Sequence, residues 1–250
     1  MKKIIILNKK EGETPLQALE IFRKKNKAYA DISMTYAGRL DPMASGVLLI
    51  LAGEETKQKD QYLALDKEYE FEVLFGFATD TYDILGKVTN RQDLVVAGVG
   101  LGEKIKENLK YFEGKFIQHY PAYSSKTVKG KALFVYARAG EAVEVPTREV
   151  NVKKINLLKI RKINSKILLQ NIQKRITKVE GDFRQSEICG IWHKNLNHEE
   201  KQYVVAGFKI KCGSGTYVRS IANSLGIKIG VPALAFSIKR TKLGKWRLVE

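Results

Sequence analysis

The run Tyr36-Ala37-Gly38-Arg39-Leu40-Asp41-Pro42-Met43-Ala44-Ser45-Gly46-Val47-Leu48 constrains this chain more than any other stretch. Gly38 and Gly46 bracket a single carboxylate, Asp41, and Pro42 follows it directly. Glycine permits a sharp reversal and proline removes one backbone freedom, so the turn leading into the apolar residues 47–51 has few shapes to choose from. A carboxylate in such a turn cannot swing freely. Fixed geometry is what an enzyme working with one carboxylate needs.

Around this run the patterning alternates between strand and helix signals. Residues 3–7 read as a buried strand, and Thr14 followed by Pro15 opens a helix reaching about residue 25. Residues 54–65 look helical, and 68–76 form a β-rich strand. The polar stretch Thr79-Asp80-Thr81-Tyr82-Asp83 is a loop, and 102–112 a helix. Residues 152–163 and 165–172 read as paired strands turning at Asn164, with 174–185 a charged connection. Residues 202–212 are strand-like and break at Gly213-Ser214-Gly215. Thr216 then caps a helix that Gly226 would stop. Residues 233–239 read as a helix or mixed segment, and 243–249 as a last strand. The simplest architecture is one α+β domain over residues 1–250. It has a large mixed, mainly antiparallel sheet flanked by helices and loops, and the irregular stretch 114–150 projects from it.

Charge points to the partner. The chain carries 44 Lys and Arg against 27 Asp and Glu, a formal +17, and such a surplus fits a polyanion, most simply nucleic acid. Two cysteines, Cys189 and Cys212, offer no disulfide framework and suit a reducing cytoplasm. Cys189 and His193 lie four apart with nothing nearby to complete a metal set, so no metal is expected. The apolar run near the N-terminus is a strand rather than a signal peptide, and no stretch is long enough to span a bilayer. His119, His193 and His198 form no catalytic motif, and there is no nucleophile elbow or P-loop.

Three segments remain as candidates for chemistry. They are the Asp41 turn, Asp66-Lys67-Glu68-Tyr69 at a strand start, and Cys212-Gly213-Ser214-Gly215-Thr216-Tyr217-Val218-Arg219-Ser220 at a strand-to-helix junction. The junction could bind phosphate through free backbone N–H groups. Arg219 falls in the first helical turn, where the dipole disfavours a cation, so it calls for a carboxylate partner, and Asp41 is a candidate. The stretch from Pro121 to Lys131, followed by Phe134, Tyr136 and Arg138, interleaves hydroxyls, aromatics and cations. This suits a surface gripping RNA by phosphate contact and stacking. An ordinary basic loop with a helix packed by Leu133, Phe134 and Ala137 would carry the same pattern.

The pattern Gly38-x-Leu40-Asp41-Pro42-x-Ala44-x-Gly46-Val47-Leu48 resembles the catalytic motif of TruB-type tRNA pseudouridine synthases. The resemblance runs on in order through Gly53-Glu54-x-Thr56-Lys57, Asp66-Lys67-x-Tyr69, Gly76 and Thr79-Asp80-Thr81-x-Asp83-x-x-Gly86. It continues through Tyr123-Ser124, Gly130-Lys131 and Tyr136-Ala137-Arg138, then Gly215-Thr216-Tyr217-Val218-Arg219 and Lys239-Arg240-Thr241, with Lys9 and Gly12 at the start. It implies the pseudouridine synthase fold with an RNA-gripping insertion at 114–150, and isomerisation of a tRNA uridine without cofactor, the family's target being uridine 55 of the T-arm loop.

By the same resemblance Asp41 is the essential carboxylate, either as nucleophile or as base toward the ribose, and Arg219 is its ion-pair partner. Tyr69 stacks on the target base and assists proton removal at C5. Tyr217 and Ile238 belong to the pocket. Lys9, Tyr36, Arg39 and Arg240 belong to substrate binding. Tyr36 stands where the bacterial motif has His, and Arg39 where it has a small residue, so the RNA contacts beside Asp41 are expected to differ. The expected partner is tRNA, with no membrane and no obligatory protein partner, for a cytoplasmic monomer lacking the C-terminal RNA-binding domain of many relatives. The other functions that fit such a scaffold are a catalytically idle RNA-binding or tRNA-folding protein and the catalytic subunit of a guide-RNA particle.

Overall fold

A computed structural model describes residues 2–93, 100–197 and 200–248. The chain opens with β1 (Ile4–Lys9) and α1 (Pro15–Lys25). Thr14 and Gln17 form a reciprocal capping box at the start of α1, so the helix begins where Thr-Pro predicts. β2 (Met34–Ala37), the Asp41 turn and β3 (Ala44–Ala52) follow, then a 3-10 segment over Gly53–Gln58 that leads into α2 (Lys59–Ala64). Next come β4 (Lys67–Phe75), β5 (Phe77–Thr79), β6 (Val88–Arg91) and α3 (Leu101–Leu109). Beyond them lie β7 (Gly114–His119), β8 (Thr127–Val128), β9 (Lys131–Ala132) and α4 (Leu133–Ala139). The remainder is β10 (Thr147–Asn164), α5 (Ser165–Ile176), α6 (Gln185–Leu196), β11 (Gln202–Cys212), α7 (Val218–Ile229), β12 (Ala233–Leu243) and β13 (Trp246–Arg247).

One sheet dominates, in the order β1-β3-β12-β4-β11-β10-β7, with β2 beside β3 and β13 beside β12. Its pairings are antiparallel except β3 with β12, which run parallel. Both faces are covered. Val218, Ile221, Ala222 and Leu225 of α7, with Ile105 of α3, pack on Phe71, Val73, Phe208 and Ile210. On the other face Leu168, Ile172 and Ile176 of α5, with Ile188 and Trp192 of α6, pack on Leu74, Val205, Leu234 and Phe236. Burial from both sides explains why residues 47–51 are continuously apolar instead of alternating.

Five expectations are corrected. Residues 165–172 are helix, not strand. The Asn164 side chain accepts the Lys166 N–H as an N-cap, and Leu168, Leu169, Ile172 and Ile176 share one helical face. Residues 233–239 are strand, because Ala233 through Phe236 are buried on both faces and an apolar run of that kind carries no period. Helix α7 runs past Gly226 to the left-handed Gly230. It starts without a side-chain cap, since the Thr216 hydroxyl donates to the Gly213 carbonyl (3.1 Å). The strand expected over 243–249 is instead the end of β12 and the short β13, and Val249 lies outside the described residues. The ends of 114–150 belong to the main sheet through β7 and β10, and only the part between them leaves it.

Gly226 has a packing role. A Cβ there would come within 2.6 Å of the Ala233 Cβ and of the Val231 carbonyl oxygen, so glycine lets α7 lie against the first residue of β12. Gly226→Ala is expected to lower unfolding stability by about 1–3 kcal/mol through overpacking, despite alanine's better helix propensity. A chemical denaturation midpoint equal to or above the parent value would contradict this.

Candidate active site

Two buried cations shape the Asp41 turn. Arg240, 1% exposed on β12, donates from Nε to the Val47 carbonyl (2.7 Å) and from Nη2 to the Gly38 carbonyl (2.9 Å). Gly46, at φ +103°, lies so close to β12 that a Cβ would sit 2.2 Å from the Arg240 carbonyl oxygen. On the other side Lys9, fully buried, donates from Nζ to the carbonyls of Glu13 (2.6 Å), Lys10 (2.9 Å) and Pro42 (3.4 Å). The Gly12 N–H also reaches the Pro42 carbonyl (2.9 Å). Burial lowers the Lys9 pKa to about 8. Carbonyl acceptors are the compensation that a buried cation requires. Lys9 and Arg240, expected on the substrate side, thus hold the backbone on either side of Asp41. Arg240 also edges the cleft.

Asp41 meets Arg219 across that turn. The guanidinium forks onto the carboxylate, Nε to Oδ2 at 2.8 Å and Nη2 to Oδ1 at 3.2 Å. The Arg219 side chain is 4% exposed and that of Asp41 36%, so the cation is buried and the anion opens to solvent. Nη1 donates to the Thr81 carbonyl and Nη2 also to the Tyr123 carbonyl (3.3 Å). A second carboxylate, Asp83, lies 3.7 Å from Nε. It is buried and accepts from the Thr81 hydroxyl (2.7 Å) and the Leu85 N–H (3.0 Å). Burial pushes the Asp83 pKa up, while Arg219 draws it down. Two carboxylates and two carbonyls offset the unfavourable position of a cation at a helix N-terminus.

The exposed side of Asp41 faces a cleft of about 910 Å³, lined among others by Tyr69, Tyr217, Ile238, Arg39 and Arg184. Tyr69 comes from β4 and Ile238 from β12, both buried against the sheet. Burial pushes the Tyr69 and Tyr217 phenols up. Tyr217 is fixed at its backbone by Gln118, whose Oε1 accepts the Tyr217 N–H (2.8 Å) and whose Nε2 donates to the Tyr217 carbonyl (3.1 Å). Its ring meets Tyr120 edge to face at 5.5 Å. Tyr36 also lines the cleft, where its hydroxyl accepts from the exposed Arg39 (3.2 Å). His119 and His193 are exposed, and His198 lies outside the described residues.

The structure therefore brings Asp41, Arg219, Tyr69, Tyr217 and Ile238 to one cleft, with Tyr36 and Arg39 beside them. Sequence reasoning quoted Asp83 and Tyr123 as motif positions without giving them a role at the site, and it passed over Arg184. Asp83 stood in a polar loop with no partner in view, and Arg184 in a stretch without motif. Residues 23–181 match the model described as TruB family pseudouridylate synthase (N terminal domain). The chain belongs to this family. It is 33% identical to a tRNA pseudouridine synthase B of Ligilactobacillus salivarius, over 99% of this chain and 69% of the relative. It is 30% identical to that of Protochlamydia amoebophila, over 98% and 75%. A chain in the crystal structure of a Cbf5-Nop10-Gar1 complex shares the fold at TM-score 0.59 and 20% identity, and this chain spans half of that one's length.

A second buried amine, unlike Lys9, lines the cleft itself. Lys67, 6% exposed, donates to the Leu63 carbonyl (2.6 Å), and burial lowers its pKa from 10.5 to about 8. Below pH 8 the folded state bears the full cost of burying this charge. Between pH 8 and 10.5 the unfolded chain holds more protons, so the contribution of Lys67 to stability improves as pH rises. The stability of Lys67→Met relative to the parent should therefore be highest below pH 8 and fall by up to about 3 kcal/mol toward pH 10.5. A pH-independent difference in paired denaturation curves would refute the assignment.

Proposed function

We propose that this chain isomerises a uridine of tRNA, uridine 55 of the T-arm loop, to pseudouridine, with Asp41 as the essential carboxylate. The observation that supports it most is the Asp41–Arg219 fork. Both carboxylate oxygens are held by a buried guanidinium while the anion remains 36% exposed toward an aromatic-lined cleft. A base inside a helix or loop stack cannot meet such a group, so the nucleotide must be extruded into the cleft. Tyr69 then supplies an aromatic face, and Tyr217 and Ile238 bound the space around the base.

The reaction breaks the bond from N1 to the ribose, turns the uracil and joins C5 to the same sugar carbon, while C5 loses one proton and N1 gains one. The product is an isomer, and no electrons or groups enter or leave. One preorganised carboxylate serves this sequence either by attack at carbon or by taking a ribose proton. A phenol is already protonated at neutral pH and burial pushes the Tyr69 pKa further up, so it offers stacking and an O–H donor rather than a resting base for C5. The family resemblance argues for the uridine-55 target, and the +17 charge argues for a polyanionic partner. Arg39, exposed on the cleft lining where the family motif has a small residue, would add a phosphate contact.

Asp41→Asn tests the reading. It is nearly isosteric and keeps the turn. Single-turnover pseudouridine formation on a tRNA transcript should fall by about a thousandfold or more. Binding of the same tRNA should stay close to that of the parent. A parent protein that binds tRNA yet forms no pseudouridine would favour the idle RNA-binding alternative. Binding should also weaken by about a hundredfold or more between low and moderate salt, because several Lys and Arg displace counterions from phosphates. A flat salt response would remove the electrostatic part of the proposal.

A further inference from the structure

Helices α5 and α6 form a hairpin set between two adjacent strands. β10 ends at Asn164 opposite Gln202 of β11, a pairing that a two-residue turn can close, yet residues 165–201 intervene. The hairpin is firmly seated. Trp192, fully buried, donates from its indole to the Ile84 carbonyl (3.1 Å). Arg175 forks onto the Glu11 carboxylate and reaches the Phe236 carbonyl (2.7 Å). What it presents to the cleft is its connecting loop, Asp182-Phe183-Arg184.

That loop is braced to aim one side chain. The Gln185 amide accepts from the Phe183 N–H (2.9 Å) and donates to the carbonyls of Val179 (2.8 Å) and Gly181 (2.7 Å). Arg184 itself takes a left-handed backbone, φ 62°, which a residue with a Cβ seldom adopts. Its Nη1 donates to the Asp80 carboxylate (2.8 Å) and the Tyr123 hydroxyl (2.8 Å), and the guanidinium lies 4.5 Å from the centre of the Tyr123 ring. Arg138 of α4 joins the same loop, donating to the Asp182 carbonyl (2.7 Å).

Asp80 and Tyr123 stand next to the groups that hold Arg219. The Thr81 carbonyl follows Asp80 directly, and the second carbonyl is that of Tyr123 itself. These two carbonyls come from loops in different parts of the chain, and Arg184 bridges those loops through the Asp80 and Tyr123 side chains. We infer that Arg184 is a positioning residue for the isomerisation: by clamping Asp80 to Tyr123 it fixes the Arg219 guanidinium and, through it, the Asp41 carboxylate. The inference rests on the uridine-isomerase reading above. Its rival is that Arg184 contacts RNA directly, since it also lines the cleft.

The experiment compares the full chain with Arg184→Ala and Arg184→Lys. It measures single-turnover rate at saturating tRNA, tRNA affinity, and backbone hydrogen exchange over residues 120–139 without RNA. Arg184→Ala should slow the saturating rate by about tenfold to a hundredfold while tRNA affinity stays within about threefold, as expected when a reactive group is misplaced. Exchange over 120–139 should quicken. Arg184→Lys keeps the charge but not the planar fork, and should restore part of the rate. Circular dichroism melts check that each variant is folded, and the lysine variant carries the test if the alanine one is not. Weaker tRNA binding with an unchanged saturating rate would overturn the inference in favour of RNA contact. A slower rate without faster exchange would overturn it too, as would no change in either. If the parent forms no pseudouridine in any RNA, the isomerase reading fails, and the exchange measurement still decides whether Arg184 clamps the loops.

Discussion

A guanidinium buried at the start of a helix is an electrostatically poor arrangement, and much of this molecule is organised to make it tolerable. Arg219 sits in the first turn of α7, where backbone dipoles already present positive charge. Removing such a cation from water costs several kcal/mol unless acceptors surround it. The chain brings them from three distant places: the Asp41 turn, the loop carrying Thr81 and Asp83, and the segment carrying Tyr123. Each is held at the same point because the same cation needs it. The result is a carboxylate whose position is set from inside the protein while its outer side faces the cleft.

The sheet makes that convergence possible. Parallel pairing of β3 with β12 places Arg240 beside Gly46, so a strand from the end of the chain clamps a turn near its beginning. β4 lies on the other side of β12 and delivers Tyr69, and the Gly230 turn leads α7 back to β12. Burial on both faces makes the central strands rigid, and rigid strands hold loop side chains to the small tolerances that chemistry requires. The α5–α6 hairpin extends the same logic from the opposite face, because its loop reaches round to the cleft.

Legibility from the sequence followed how local the signal was. The Asp41 turn was readable because glycine and proline act on their own neighbours. The start of α1 was readable because Thr14, Pro15 and Gln17 cap it locally. The strand at 233–239 was not, because a run buried on both faces has no period to distinguish it from a helix. The helix at 165–176 was obscured by its β-branched residues, and only the Asn164 cap and the Leu168–Ile172–Ile176 spacing marked it. Arg184 carried no signal, since its partners Asp80 and Tyr123 lie 104 and 61 positions away in the chain.

By itself the sequence determined which carboxylate stands in the constrained turn, the need of Arg219 for an anionic partner and a +17 charge that suits a polyanion. These depend on residue type, charge and nearest neighbours. The tertiary structure alone decided that Arg219 is shared by Asp41, Asp83 and two carbonyls. It also decided that Lys9 and Arg240 face inward to backbone and that Arg184 joins two loops. Those outcomes depend on desolvation, which is a property of position in the folded chain: the same lysine or arginine is a surface charge or a backbone brace according to how much water the surrounding strands exclude.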